Sequence, residues 1–371
     1  MFDVVVITAA NAAQARGYRA QVKWRRSRGM LPAAMEVLVV PDPGGRRVGS
    51  LGATVNVLKR LGDLRGRRVF ICHSGGDARR TPGYAAMGKA FTPLPVAGDK
   101  AMFDLILANM SKLPMPKKGG VLVACGDVLI TFDFKAADLS HSGVTGFGFY
   151  DTAERAARHG VYQLARGDKA GCVPVEGFLQ KPKFAGGRHV IDTGIMWIDV
   201  ETATKMVERG WKVGDLYQEF TSALLDGFAP FHANVVRKCD FFHIGSSREL
   251  LRCMTEPSPT SKLYGFDVHD PNLVGRDLFS AHGGNIVTNV PPTIKGDGEG
   301  ATALQLARNE CVTFLPVGKS DWVEVRYSLD DNFKGDGKWE QKLYKLGRRS
   351  VSLKELMPIV NHRRLLEAKG A

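Results

Sequence analysis

The chain has 371 residues, of which 44% are hydrophobic and 24% are charged, an ordinary balance for a soluble globular protein with a substantial core. The 51 Lys and Arg residues exceed the 38 Asp and Glu residues, and the net charge of +13 favours anionic partners such as nucleotides and sugar phosphates. The charge comes with no RNA-binding aromatic motif, zinc-ligand spacing or basic repeat, and no apolar run reaches the roughly 18 residues of a membrane span, so neither nucleic acid nor a membrane is an expected partner.

The six cysteines are dispersed without a CxxC pair, and the N-terminus enters an apolar run at once, without a basic flank. Both features are typical of a protein with reduced thiols and no signal peptide. We therefore expect a cytoplasmic location.

The chain opens with alternating strands and helices. DVVVIT and EVLVV are apolar strands on either side of a helix rich in Ala, Gln and Arg. The glycine-rich loop PDPGGRRVGSLGAT then leads into a helix predicted from about residue 53 to residue 61. Such a loop can bind an anion through free amide groups and the helix dipole, although a plain βα turn is the alternative. The candidate nucleotide-binding residues are Gly49, Ser50, Gly52 and Thr54.

The next stretch, HSGGDARRTPGYAAMGKAFTPLP, follows the apolar strand RVFIC and predicts a phosphate site. Gly75 and Gly76 permit backbone angles closed to other residues, so we expect a sharp turn with amide groups facing an anion. Arg80 and Lys89 add positive charge suited to phosphate oxygens. An ordinary loop is the alternative, but the stretch is long for a simple connection.

Two later strands carry polar residues at breaks in their apolar pattern. VLVACGDVLI is interrupted at Asp127, and an acidic residue beside a glycine at a strand tip is suited to hold a divalent metal against phosphates. The alternative for Asp127 is a turn aspartate that caps the next segment. VIDTGIMWIDV has a bend at Asp192 and Gly194, which are candidate substrate-binding residues. Before it, Lys181 in GFLQKP could reach a substrate anion.

After about residue 257 the pattern changes to short strand-like runs separated by Gly, Asn and Asp. We predict two domains, a nucleotidyltransferase domain over 1–256 and a C-terminal β appendage with a terminal helix over 257–371. The terminal helix is expected over 352–369 as a polar, basic, solvated element. A β-helix is one candidate arrangement for the appendage.

These blocks together resemble the GDP-fucose pyrophosphorylase (fucose-1-phosphate guanylyltransferase) family, whose domain also occurs fused to fucokinase. The resemblance covers nearly the whole chain. It is carried, in the family's order, by VVVITAANAAQARGY, VVPDPGGRRVGSLGATVNVL, HSGGDARRTPGYAAMGKAFTPLP, CGDVLI, FFHIGSSREL and WVEVRYSLDDNFKG.

The resemblance implies an α/β, Rossmann-like nucleotidyltransferase fold (GT-A-like) with a mixed sheet and a smaller C-terminal β appendage. It also implies a reaction in which a sugar 1-phosphate attacks the α-phosphorus of a nucleoside triphosphate and pyrophosphate leaves. The implied substrates are GTP and L-fucose 1-phosphate, and the implied cofactor is Mg²⁺. The oligomeric state is not implied.

The resemblance also assigns roles. In the wider family a Gly-Gly pair is followed by an arginine and then by Pro-Lys; Arg80 and Lys89 stand at those cationic places, although Gly88 replaces the proline. Both would hold the β and γ phosphates. Asp127 resembles the metal-binding aspartate of a Gly-Asp pair, and Lys181 resembles the lysine of a Glu-Lys-Pro segment that meets the sugar phosphate, with Gln180 in place of the glutamate.

The chain departs from the wider pattern at two places. His243 stands where a second metal-binding aspartate is usual, with Asp240 as a substitute candidate, and Leu51 stands where another glycine is expected. A sugar-nucleotide binding or regulatory protein without activity therefore stays open. So does a GT-A glycosyltransferase, although its Asp-x-Asp motif has only a near match at Asp330 and Asp331, in the appendage.

Overall fold

The computed structural model describes residues 1–165, 171–269, 277–291 and 304–367. The chain forms two compact units, and each unit is assembled from separate segments. The first unit comprises Met1–Asn11, Leu31–Gly75 and Ile106–Phe241. The second comprises Ala12–Met30, Gly76–Leu105 and the described residues from Phe242 onward. The predicted boundary after residue 256 falls inside the second unit.

The strands follow the chain in the order β1 (Val4–Ala9), β2 (Glu36–Pro41), β3 (Arg68–His73), β4 (Gly120–Cys125), β5 (Val128–Thr131), β6 (Val144–Thr152), β7 (Gly160–Leu164), β8 (Gly171–Gln180), β9 (Arg188–Ile198), β10 (Phe231–Val235), β11 (Asp240–His243), β12 (Leu278–Ser280), β13 (Asn285–Thr288), β14 (Glu310–Val317), β15 (Asp321–Ser328), β16 (Tyr344–Leu346) and β17 (Arg349–Val351). The predicted strands DVVVIT, EVLVV and RVFIC are thus confirmed as β1, β2 and β3.

The α-helices are α1 (Ala12–Ser27), α2 (Gly49–Leu61), α3 (Met102–Met110), α4 (Ala153–Ala156), α5 (Val200–Arg209), α6 (Thr221–Leu225), α7 (Ser247–Thr255), α8 (Pro259–Tyr264), α9 (Leu353–Leu356) and α10 (His362–Glu367). Short 3-10 helices occur at Pro43–Gly45, Pro82–Tyr84, Lys89–Phe91, Phe134–Ala136 and Met357–Ile359, and a π-helix occurs at Leu216–Phe220. Within the described ranges, no helix has the length and apolar character needed to cross a membrane.

The first unit is built on a nine-stranded sheet with the order β2-β1-β3-β4-β9-β6-β10-β8-β7. The first four strands are parallel, whereas β9 pairs antiparallel with both β4 and β6. All six residues of β1 are buried, as expected for a parallel strand covered on both faces. The prediction of an α/β fold with a mixed sheet is therefore confirmed.

Helix α2 begins four residues earlier than predicted. It starts at Gly49, so the candidate residues Gly49, Ser50, Gly52 and Thr54 lie in its first two turns and not in a loop before it. A Cβ on Gly52 would lie 2.6 Å from the Lys212 carbonyl oxygen, and a Cβ on Gly49 would overlap the Gly214 carbonyl oxygen. Close packing of this helix end on the backbone of 212–214 is a sufficient reason for both glycines.

Gly49→Ala should lower the free energy of unfolding by more than about 2 kcal/mol, because it adds a backbone clash to the cost of a side chain at φ 72°. Gly62→Ala at the other end of α2 is the matched control, since Gly62 has φ 66° but no atom within 4 Å of an added Cβ. The control should cost only about 1 kcal/mol in urea unfolding. Equal losses in the two variants would contradict the packing argument.

The second unit contains a four-stranded sheet in the order β12-β13-β14-β15. Its outer pairs are antiparallel and its central pair is parallel, and β16 and β17 form a separate hairpin. A small core of Val287, Val290, Val312 and Phe314 lies on this sheet. The short strands predicted after residue 257 are thus present and form an open sheet in the described residues, and the β-helix stays unconfirmed.

The tail prediction is wrong in its main feature. In place of a single solvated helix over 352–369, the described residues form α9, a 3-10 turn and α10. Leu353 and Leu356 are fully buried, and Leu365 and Leu366 are at most 8% exposed. Apolar side chains therefore anchor this segment, while residues 368 and 369 lie outside the described ranges.

Candidate functional site

The parallel part of the sheet reverses its winding at β1, because β2 lies on one side of β1 and β3 on the other. Open α/β sheets bind ligands outside the carboxyl ends of the strands at such a switch point. Here Thr8 Oγ1 lies 3.3 Å from His73 Nδ1 and accepts a hydrogen bond from the Ser74 amide at 3.2 Å. This edge is the candidate site of the first unit.

Both ring nitrogens of His73 contact threonine hydroxyls. Thr54 Oγ1 lies 2.9 Å from His73 Nε2 and donates its own hydrogen to the Ser50 carbonyl at 2.9 Å. Thr54 must therefore accept from the ring, which places the ring hydrogen on Nε2 and lets Nδ1 accept from Thr8. Burial lowers the pKa of His73 to about 4, so the ring is neutral at pH 7. The sequence pattern assigns no role to His73, although its position at the end of an apolar strand is a signal that could locate it.

The chain bends at Gly76, but the glycine pair does not use the backbone angles closed to other residues. Neither glycine has φ in the left-handed range, whereas Ala78 has φ 50°. A Cβ on Gly75 would lie at an ordinary 3.5 Å from the Ala10 nitrogen, and an added Cβ on Gly76 would meet no atom within 4 Å. The left-handed backbone conformation comes two residues later, at Ala78, and nucleotide binding by the glycine pair stays a prediction.

The predicted nucleotide-binding hydroxyls at the start of α2 have partners inside the first unit. Ser50 Oγ donates to Asp215 Oδ2 at 3.1 Å and accepts from the Leu216 amide at 2.8 Å. Thr54 is fully buried. These bonds connect the start of α2 to the segment 214–217. Ser50 and Thr54 therefore stabilise the structure around the site, and their contact with a nucleotide stays a prediction.

The predicted bend in β9 is present and places a buried carboxyl group. Gly194 has φ 74°. Asp192 is 7% exposed, and its Oδ1 accepts hydrogen bonds from the Tyr162 hydroxyl at 2.8 Å and from the Gly194 amide at 3.0 Å. The pKa of Asp192 is raised to about 6, mainly by burial and to a smaller extent by the negative charge of Asp215. A perturbed, buried carboxyl group held by neutral donors is a candidate ligand-binding group.

Tyr217, which the sequence pattern did not single out, joins this bend to β4. Its hydroxyl donates to the Gly194 carbonyl at 2.8 Å and lies 3.5 Å from Cys125 Sγ. Its backbone carbonyl accepts from Gln180 Nε2 at 2.5 Å. Because Gln180 precedes Lys181, Tyr217 contacts three of the segments that the sequence singled out.

Asp127 lies, as predicted, in the turn between β4 and β5. Burial raises the pKa of the Cys125 thiol to about 12, and the charge of Asp127 adds to it, followed by Asp192 and Asp215. Three carboxyl groups therefore lie close enough to act on one thiol. In the described ranges, however, no three His, Cys, Asp or Glu side chains could hold a metal ion by themselves. Asp127 fits Mg²⁺, which keeps waters and phosphate oxygens among its ligands.

Lys181 follows β8 with an exposed side chain and a left-handed backbone at φ 47°. Its amide donates to the His159 carbonyl at 2.9 Å, which fixes this conformation. Non-glycine residues with positive φ are uncommon and cluster at functional sites. The side chain has no hydrogen-bond or ion-pair partner in the described part of the chain, which leaves its charge available to an anion.

In the second unit both predicted phosphate cations contact the turn that leads into α7. Lys89 Nζ donates to the Gly245 carbonyl at 3.1 Å, and the Ser247 amide donates to the Arg80 carbonyl at 2.8 Å. Ser246 caps α7 by accepting from the Glu249 amide. The same turn therefore holds both ends of the segment 80–89.

Arg79 and Arg80 differ in what their guanidinium groups contact. Arg79 forms an ion pair with Asp77 at 3.0 Å and lies 5.4 Å from the centre of the Trp339 ring. Arg80 is exposed, and no partner for its guanidinium group is found within the described ranges. Arg80, and not Arg79, therefore presents its charge to solvent.

The chain is similar in sequence to known fucose pyrophosphorylases. Residues 62–221 match the family model of the fucose pyrophosphorylase domain. The predicted resemblance to the fucose pyrophosphorylases is confirmed. Fucose-1-phosphate guanylyltransferase of Mus musculus is 33% identical over 172 residues, which cover 44% of this chain and 29% of that protein. L-fucokinase/L-fucose-1-P guanylyltransferase of Bacteroides fragilis is 27% identical over 368 residues, covering 80% of this chain and 38% of that protein.

Bifunctional fucokinase/GDP-fucose pyrophosphorylase of Arabidopsis thaliana is 30% identical over 243 residues, covering 53% of this chain and 23% of that protein. The chain thus spans well under half the length of these curated relatives. Among solved structures, HddC from Yersinia pseudotuberculosis complexed with GMP-PN overlays with a TM-score of 0.37 and 14% identity, covering 68% of this chain and 98% of that one. An overlay at this level supports no argument about ligands.

The matched range contains most of the predicted site. His73, Asp127, Lys181 and Asp192 of the first unit fall inside residues 62–221, as do Arg80 and Lys89 of the second. Gly49, Ser50, Gly52 and Thr54 precede it. The family match therefore covers the residues predicted to bind phosphate, metal and sugar, and it does not cover the start of α2.

Proposed function

We propose that the chain is a nucleotidyltransferase that joins a nucleoside triphosphate to a sugar 1-phosphate and releases pyrophosphate. The observation that carries the proposal is the polar edge at the β1–β3 switch point, whose β3 residues lie within the range that matches the fucose pyrophosphorylase domain. The names of the relatives support GTP and L-fucose 1-phosphate as the substrates.

The chemistry asks for binding and charge compensation more than for proton transfer. The attacking group is a phosphate oxygen that already carries negative charge, so no general base is required. The protein must hold two anions in line and offset the charge that develops on the leaving pyrophosphate. Cations that form no ion pair in the described part of the chain, such as Arg80 and Lys181, suit this task.

Each predicted residue then has a role. Arg80 and Lys89 bind the β and γ phosphates of the triphosphate, and Lys181 binds the sugar phosphate. The ionised carboxyl group of Asp192 accepts a hydrogen bond from a sugar hydroxyl. Asp127 would hold Mg²⁺, which would supply Lewis-acid stabilisation of phosphate oxygens.

In this proposal the backbone from Gly49 to Gly52, at the start of α2, faces the base and ribose. The buried Thr54 stabilises this end of the helix. Gly75 and Gly76 allow close approach of the phosphates, since an added side chain at Gly76 would meet no protein atom within 4 Å. Gly194 contributes to sugar binding by holding the bend that orients Asp192.

Pyrophosphate release tests the proposal. The purified chain with Mg²⁺ is mixed with each of the four nucleoside triphosphates against a panel of sugar 1-phosphates. Release confined to GTP with L-fucose 1-phosphate is the expected result, and release with another pair would keep the reaction but change the substrates. Nucleotide binding without release from any pair would favour the alternative, a sugar-nucleotide binding protein. The observation on its side is His243, which stands at the place of a second metal-binding aspartate.

Lys89→Ala should lower turnover roughly tenfold or more, because one preorganised charge on the leaving group is lost. The ammonium group donates to the Gly245 carbonyl, and the loss of one hydrogen bond of this kind costs only about 1 kcal/mol, so the fold should persist. Circular dichroism and thermal melting check the fold, and pyrophosphate release checks the rate. Wild-type turnover in this variant would remove Lys89 from the mechanism.

A further inference from the structure

The segment between the two phosphate cations is buried and bonded to the four-stranded sheet of the same unit. Residues 81–88 are all buried. The Gly83 carbonyl accepts hydrogen bonds from Thr288 Oγ1 at 3.2 Å and from Thr313 Oγ1 at 3.3 Å. A Cβ on Gly83 would lie 2.7 Å from the Tyr327 hydroxyl, so the backbone lies directly on β13, β14 and β15.

The next residue is held by a buried carboxylate. The Tyr84 hydroxyl donates to Asp277 Oδ2 at 2.8 Å, and the Asn289 amide donates to Asp277 Oδ1 at 2.9 Å. Tyr84 is fully buried and Asp277 is 1% exposed. Asn289 also donates from its side chain to Thr313 Oγ1 at 3.0 Å, so the bonds to Gly83 and Tyr84 belong to one network.

Polar bonds of this kind are directional in a way that apolar packing is not. A hydrophobic contact would bury the segment equally well but would tolerate sliding along the sheet. The hydrogen bonds to Gly83 and Tyr84 therefore favour one arrangement, although Asn289 Oδ1 has no partner in the described residues. An error of about 1 Å in the position of a substrate-binding group can cost a large factor in rate. Arg80 and Lys89 stand at the two ends of the fixed segment, which sets the distance between their backbones.

We propose that Tyr84, Asp277 and Thr313 are positioning residues for triphosphate binding, and that through them the sheet β12–β15 fixes the segment 80–89 with its two phosphate cations. This inference rests on the proposed function, because it takes Arg80 and Lys89 to be the phosphate ligands. It gives the C-terminal part of the chain a task in catalysis beyond that of an appendage.

The test compares Tyr84→Phe and Thr313→Val, which each remove one hydroxyl and keep the shape of the side chain. Tyr344→Phe is the matched control, since the Tyr344 hydroxyl is buried in the same unit without a hydrogen-bond partner in the described residues. We expect the KM for the triphosphate to rise about tenfold in both test variants, with the KM for the sugar 1-phosphate within about twofold of wild type. The control should keep both constants.

Thr313→Ser, which keeps the hydroxyl, should restore the wild-type KM, and thermal melts identify any variant that has lost its fold. Unchanged KM values in folded Tyr84→Phe and Thr313→Val would overturn the inference, as would a parallel rise of both KM values. If the wild type binds GTP without turnover, the proposed activity fails, and GTP affinity measured by calorimetry on the same variants decides the inference on its own. No affinity of the wild type for any triphosphate would overturn both.

Discussion

Arg80→Ala is expected to lower kcat/KM for the nucleoside triphosphate about a hundredfold while leaving the melting temperature unchanged. The side chain of Arg80 is exposed and has no partner within the described ranges, so its removal breaks no contact of the fold. Its backbone position is retained, because the Ser247 amide bonds to the Arg80 carbonyl and not to the side chain. Steady-state kinetics with varied triphosphate and a thermal melt measure the two parts of this expectation.

The neighbouring arginine supplies the control. Arg79→Ala removes the ion pair with Asp77 and the contact with the Trp339 ring, so it should lower the melting temperature more than Arg80→Ala and kcat/KM far less. Arg80→Lys should recover part of the rate, since a lysine keeps the charge and loses the bidentate grip. If Arg79→Ala were the more damaging variant for kcat/KM and Arg80→Ala were neutral, the assignment of the phosphate ligand would have to be exchanged.

The parallel half of the sheet was readable from sequence because each of its strands is a short apolar run between helices. β1, β2 and β3 were placed within a residue or two, and the turn at Gly126–Asp127 was placed correctly. The antiparallel half was not readable, because the insertion of β9 between β4 and β6 depends on pairing between residues far apart in the chain. The two discontinuous units were missed for the same reason.

The residues of the candidate site also differ in whether a local sequence pattern indicates them. Residue type and local spacing are sufficient to propose Arg80, Lys89, Asp127 and Asp192 as candidates, because charge after a strand or at a break within one is a local signal. The contacts of His73 and Tyr217 are with residues distant in sequence, and no local pattern reports them. The glycine pattern is misleading as evidence of ligand binding where close packing already explains the glycine. At Gly49 an added side chain would overlap a backbone carbonyl.

Asp192→Asn is expected to stabilise the protein and to damage its activity. The carboxyl group is buried with a pKa of about 6, raised by burial, so the fold carries a cost whenever the group is ionised. An asparagine at 192 keeps an oxygen that can accept from the Tyr162 hydroxyl and the Gly194 amide, which now bond to Oδ1. The variant removes the charge and preserves both of these bonds.

The stability gain has a defined pH window. Below about pH 4 the carboxyl group is protonated in both the folded and the unfolded chain, and wild type and variant should be equally stable. Between about pH 4 and pH 6 the unfolded chain ionises first, so the wild type loses stability as the pH rises, and above pH 6 the variant should be ahead by about 1 to 2 kcal/mol. Urea unfolding at pH 4 and at pH 8 measures the difference.

Asp138→Asn gives a control of the opposite sign. The Ser140 hydroxyl and amide lower the pKa of Asp138, so its ionised form stabilises the fold and its replacement should bring a small loss of stability at pH 8.

Activity measurements then show whether the ionised Asp192, which destabilises the fold, is needed for the reaction. The kcat/KM for the sugar 1-phosphate should fall roughly 10- to 100-fold in Asp192→Asn. Its difference from wild type should grow as the pH rises through about 6, where the wild-type carboxyl group ionises. A variant that is more stable at pH 8 and fully active would show that the buried carboxylate contributes nothing to the reaction.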